Sequence, residues 1–93
     1  MAKHDYQEIE VLRDSEGVIA VITKKGDTDY LSFSLQKEFV RRDDAGGTAV
    51  VRTSFLNRRH VAAVRRLLLQ VEEYLDRAAD QAASRSATSK RLT

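Results

Sequence analysis

The chain has neither cysteine nor proline among its 93 residues. Without cysteine there is no disulfide framework and no thiolate metal site, a usage that fits a reducing compartment. Without proline, no strand is barred from a sheet interior. Glycine is scarce too: the four, at positions 17, 26, 46 and 47, fall in turns. They form neither GxGxxG nor a phosphate-binding loop, so a nucleotide site has no support. No apolar run approaches the roughly 20 residues that span a bilayer, and the start MAKHDYQEIE lacks the apolar stretch of a secretory signal. The expectation is a protein with no membrane partner, cytoplasmic or nucleoid-associated.

Reactive groups are equally sparse. His4 and His60 are the two histidines, and no HxH, HExxH or His/Asp cluster offers metal-ligand or nucleophile-base spacing. The adjacent acids Asp43/Asp44 and Glu72/Glu73 read as a solvated turn and a helix surface. No enzyme activity, cofactor or metal is expected.

What the chain does have is an uneven distribution of charge. The net charge is +2, yet residues 1–23 carry two basic and five acidic side chains, residues 24–66 carry ten and five, and residues 67–93 carry four of each. A positive middle fits a polyanionic partner. It equally fits the arginine-rich surfaces common in proteins of GC-rich genomes.

Periodicity supplies the elements. Residues 1–5 are polar and expected to fray. In YQEIEVLR (6–13), Ile9 and Val11 fall on one face and Glu8 and Glu10 on the other, the pattern of a half-buried strand. DSEG (14–17) reads as a turn, and VIAVIT (18–23), β-branched and apolar on both faces, as a central strand. KKGD (24–27) forms the next hairpin tip. A third strand from Asp29 sends Leu31, Phe33 and Leu35 one way and Tyr30, Ser32, Ser34 and Gln36 the other. Lys37 then falls on the apolar side, so the strand either leaves the core there or is reset by a bulge. After RRDDAGG (41–47), a fourth strand from Thr48 is expected to turn Ala49, Val51 and Phe55 inward and Arg52 and Ser54 outward. Phe33, Phe39, Phe55 and Tyr74 are assigned mostly to the core.

Asn57 suits a helix N-cap. Val61, Val64, Leu68, Val71, Leu75, Ala78 and Ala82 then recur at spacings of three and four, widened by Leu67 and Tyr74. A helix of about 25 residues would run roughly 37 Å, more than a small four-stranded sheet covers. Its far half therefore invites the same helix of a second copy. SRSATSKRLT (84–93) reads as a disordered basic tail. The expected fold is α+β: one domain over residues 6–83, a four-stranded antiparallel sheet followed by a long C-terminal amphipathic helix, dimeric through that helix.

The face opposite the helix carries the functional candidates. Tyr30, Ser32, Ser34 and Gln36, joined by Arg52 and Ser54, could stack on bases and bond phosphates, or simply be a solvated polar face. Lys24 and Lys25 at one hairpin tip, with Lys37, Arg41 and Arg42 near the next, could form a positive rim. Arg58 and Arg59 oppose the helix dipole and so break a local rule. Arg66 is expected to reach toward Glu73.

The order strand, strand, strand, strand, helix, with VRTSFLNRRHVAAVRRLL at its last junction, resembles the single-stranded-DNA-binding superfamily of transcriptional coactivator positive cofactor 4, Whirly and the Pur-alpha repeats. The likeness covers roughly residues 9–75, and Leu56-Asn57 fits the Leu-Asn preceding the coactivator helix. Arg58 stands where that helix commonly opens on proline, and Val61 where it carries tryptophan. The resemblance implies a homodimer holding single-stranded nucleic acid on its sheet face and hairpin tips. By analogy Lys24, Lys25, Tyr30, Lys37, Arg41, Arg42 and Arg52 would occupy that surface. The competing expectation is a protein-assembly module whose long helix pairs with another protein. A reader of double-stranded DNA is disfavoured, because one helix does not make a helix-turn-helix.

Overall fold

Apolar side chains on both faces place Val18–Lys25 in the middle of the protein. The computed structural model describes the backbone of residues 6–92 and the side chains of residues 6–83. The start expected to fray, residues 1–5, lies outside the described residues. Four strands, β1 (Tyr6–Arg13), β2 (Val18–Lys25), β3 (Leu31–Arg42) and β4 (Thr48–Thr53), pair antiparallel in chain order, and one helix, α1 (Val61–Leu92), follows them. This is the α+β arrangement read from the sequence. No helix among the described residues is long and apolar enough to cross a membrane.

Val18, Ala20 and Ile22 of β2 meet Ala63, Leu67 and Val71 of α1 in one buried cluster, flanked by Leu12, Leu35, Val64, Tyr74 and Leu75. Ile19 and Val21, pointing to the opposite side of β2, are also buried. The sheet therefore has apolar contents on both faces.

Two features of the strands depart from simple alternation. The β1–β2 register shifts between Glu8 and Glu10, making Ile9 the extra residue of a bulge. Past it, Leu12 lies opposite Ala20 and Val11 opposite Val21, so Leu12 joins the helix-side core. Ile9 and Val11 do not share the buried face, contrary to the uninterrupted alternation of β1. The second departure is that β3 serves two neighbours in succession. Residues 31–37 pair with β2 and residues 37–42 with β4. Its alternation runs on without a bulge at Lys37, and the strand emerges from the core there.

The β3–β4 arm accordingly projects past the end of β2. Helix α1 lies mainly on β2 and β1, which leaves Phe33 and Phe39 about 40% exposed (43% and 41%). Phe55 is 86% exposed. Strand β4 stops at Thr53, whose Oγ1 accepts the Phe55 N–H at 3.1 Å, and the alternation that would have turned Phe55 inward ends with it. Of the four aromatics assigned to the core, Tyr74 alone packs against the buried cluster.

The helix entry is tightly specified. Asn57 Oδ1 accepts the Arg59 N–H at 3.1 Å, and the Asn57 N–H donates to His60 Nδ1 at 3.1 Å, a reciprocal cap. His60 is buried, and its Nε2 has no hydrogen-bond partner among the described residues. The basic first turns have acidic partners in the β1–β2 turn, whose residues Ser15–Gly17 form a 3-10 turn. Arg59 reaches Glu16 at 2.9 Å and Arg66 reaches Asp14 at 2.7 Å. Arg66 therefore clamps this turn, while Glu73 pairs with Arg77 one helical turn on. The Arg66 guanidinium, with the Ser15 N–H, pushes the Asp14 carboxyl down to about 2.

Helical backbone continues to Leu92, beyond residue 83 where a disordered tail was expected to begin. Neither proline nor glycine occurs after Gly47, so nothing in the segment imposes the large helix penalty of those residues.

Candidate nucleic-acid interface

Opposite the helix, pairing register lays out the open face, because residues paired across strands project to the same side. Tyr6 lies opposite Lys25, whose N–H donates to the Tyr30 carbonyl at 3.1 Å and closes the β2–β3 hairpin. The next row is Glu8, Thr23 and Ser32. Past the bulge come Val11, Val21 and Ser34, then Arg13, Ile19 and Gln36. Glu38 and Arg52 make the next row, across β3 and β4, and Val40 with Val50 and Arg42 with Thr48 follow toward the far tip.

One end of this face is aromatic and basic. Tyr6 and Tyr30 are 49% and 61% exposed and flank Lys25. Two strand spacings of about 4.8 Å separate the tyrosines by roughly 10 Å. The neighbouring polar strip is partly tied up, with Gln36 Nε2 donating to Ser34 Oγ at 2.8 Å.

The middle of the face is crossed by a charge network. Arg13 pairs with Glu38, and Arg52 donates from Nε to Glu38 at 3.3 Å and from its terminal nitrogens to Glu8 at 2.9 and 3.3 Å. Arg13 first, then Arg52, holds the Glu38 carboxyl below its ordinary value, and Glu8 first, then Glu38, raises the Arg52 guanidinium. Glu8 belongs to one edge strand and Arg52 to the other. In a flat sheet those edges would be roughly 14 Å apart. The sheet must curl for the contact to form, folding its open face over Ile19 and Val21.

The sequence candidates divide between the two sides. Lys25, Tyr30, Ser32, Ser34 and Arg52 share the open face, and Arg42, opposite Thr48, joins them near the far tip. Lys24 lies opposite Leu31, Lys37 opposite Val18 and Thr53, and Arg41 opposite Ala49; all three belong to the helix side. Strand alternation thus splits the expected positive rim. Ser54 lies past the end of β4 and outside the sheet. Across the middle of the face, Arg13 and Arg52 are matched by Glu38 and Glu8.

Tyr6 and Arg13 also lie on this face and were not among the sequence candidates. The pairing of Tyr6 with Lys25 depends on the one extra residue in β1, which nothing in the sequence marks. Among the described residues no group of three or more His, Cys, Asp or Glu side chains could hold a metal ion. Compared with known proteins, the chain matches no family model, no curated protein and no solved structure.

Proposed function

We propose that the chain is a single-stranded nucleic-acid-binding module, with DNA the favoured ligand, acting as a homodimer. The row Tyr6, Lys25, Tyr30 carries the reading. Two exposed rings flanking a cation offer stacking for bases and a counter-charge for the backbone between them, a combination that tolerates any sequence and requires unpaired bases. Ser32 and Ser34 continue the strip with hydroxyls able to bond phosphate or base edges. The positive middle of the chain and the resemblance of the element order support the same class of ligand.

Fluorescence anisotropy with a short labelled oligothymidine tests this. Saturable binding should weaken steeply as salt rises, and Tyr30→Ala should cost about tenfold in affinity, within the range for one lost stacking platform. Equal affinity for wild type and a Tyr6→Ala, Lys25→Ala, Tyr30→Ala triple variant would remove the row from the site.

The homodimer draws support from apolar surface that one copy leaves uncovered. Val61, Leu68 and Leu69 are 53%, 41% and 67% exposed along one side of α1. Arg65 and Glu72 lie on the same side and form no ion pair with each other. Antiparallel packing of two helices about Leu68 and Leu69 would set Arg65 of each copy against Glu72 of the other, the self-complementarity that a two-fold interface requires. Leu68→Glu should therefore shift the light-scattering mass from twice 10.5 kDa to 10.5 kDa. A wild-type chain already monomeric at tens of micromolar would overturn the dimer.

The same uncovered surface favours a second reading, an assembly module whose helix pairs with a different protein. Under it, wild type would show no saturable anisotropy signal at low salt.

A further inference from the structure

We infer that Arg13 and Arg52 form a phosphodiester-binding site that Glu8 occupies in the free protein, an inference that rests on the single-strand reading above. Arg52 divides its donors between two carboxylates. Nε points to Glu38, while both terminal nitrogens point to Glu8, Nη1 to Oε2 at 2.9 Å and Nη2 to Oε1 at 3.3 Å. That fork-to-fork geometry is the one in which guanidinium takes a phosphate. A phosphodiester carries the same single negative charge as a carboxylate and offers two free oxygens. It can replace Glu8 on Arg52 while Glu38 keeps its hold on Nε.

The two glutamates are not equivalent. The Glu38 side chain is 20% exposed and bonds both Arg13 and Arg52; that of Glu8 is 45% exposed and bonds Arg52 alone. The exposed, singly bonded carboxylate is the one that leaves, since solvent-exposed ion pairs are weak. Glu38 stays and fixes both guanidinia. Arg13, whose side chain is 58% exposed, then contributes a second positive group beside Arg52. Releasing Glu8 also frees one edge of the curl from the other, so the strand that starts on Tyr6 and Tyr30 can run on toward β4.

The test compares Glu8→Gln with Glu10→Gln in the full chain by oligothymidine anisotropy. Both variants remove one negative charge from β1, but only Glu8 touches Arg52. Glu8→Gln is expected to bind about two- to fivefold tighter than wild type, the scale of one exposed ion pair. Its salt dependence should be steeper than that of wild type, because Arg52 then gives up a salt anion where it had given up Glu8. Glu10→Gln should change affinity by less than half as much, and adding Arg52→Ala to Glu8→Gln should abolish the gain. Saturable wild-type binding that Glu8→Gln leaves unchanged, or that Glu10→Gln raises equally, overturns the inference and leaves the nucleic-acid reading standing. Absence of binding by wild type and both variants overturns the two together.

Discussion

Leu67→Ala is expected to remove about 3–5 kcal/mol of folding stability, read as a fall in the urea midpoint of the circular dichroism signal at constant slope. Leu67 is fully buried, at 0% exposure, and sits at the centre of the α1 stripe against Val18, Ala20 and Ile22. Truncation forfeits both the transfer of its side chain from water and the contacts lining the resulting cavity, which β2 cannot close because it is held by strands on both sides. A domain of this size has about 5–10 kcal/mol in all, so the variant should be on the edge of unfolding at room temperature. Leu69→Ala provides the contrast: Leu69 is 67% exposed, and a monomer should register less than about 0.5 kcal/mol. Similar costs at the two positions in the monomeric Leu68→Glu background would mean that α1 packs on the sheet through a different face.

Gly17→Ala should cost about 2–4 kcal/mol. Gly17 has φ +76°, and a Cβ there would lie 2.5 Å from the Glu38 carbonyl oxygen. The obstacle is backbone inside a paired strand, so it cannot rotate aside. Gly46, at φ +83° with nothing within 4 Å of its would-be Cβ, isolates the conformational part; Gly46→Ala should cost about 1–2 kcal/mol. The excess at Gly17 measures the contact itself. It should also loosen Glu38, so oligonucleotide affinity should change in Gly17→Ala and not in Gly46→Ala. Equal costs for both substitutions would show that the turn can move away from β3.

Patterns local in sequence were legible in advance. The two apolar faces of β2, the Asn57 cap, the four strands and the helix stripe all follow from residues within a few positions of one another, although Val61 and Leu68 of that stripe are exposed and Leu67, at the margin of the periodicity, is its most buried member. Three features were not. A single bulge at Ile9 exchanges the faces of Val11 and Leu12, and no local residue preference marks it. The handover of β3 from β2 to β4 at Lys37 leaves Phe33 and Phe39 partly bare, because α1 lies mainly over β2 and β1. The acidic partners of Arg52, Arg59 and Arg66 come from positions 8, 38, 16 and 14. Such pairings depend on curl and docking, so Arg52 and Arg59, which looked like open cations, were already bonded within the chain, and Arg66 bonds Asp14 where Glu73 was expected. The candidate face was legible as Tyr30, Ser32 and Ser34, but its second tyrosine and its central charge neutralisation were not.

Strand order has a consequence for how the protein is made. Each strand pairs with its neighbour in sequence, so the sheet can zip up through short loop closures as the chain is synthesised, a topology associated with rapid folding. The segment that covers β2 comes last. Until residues 61–75 have left the ribosome, Val18, Ala20 and Ile22 face water on a completed sheet, and that interval is when a nascent chain of this protein is most exposed to aggregation.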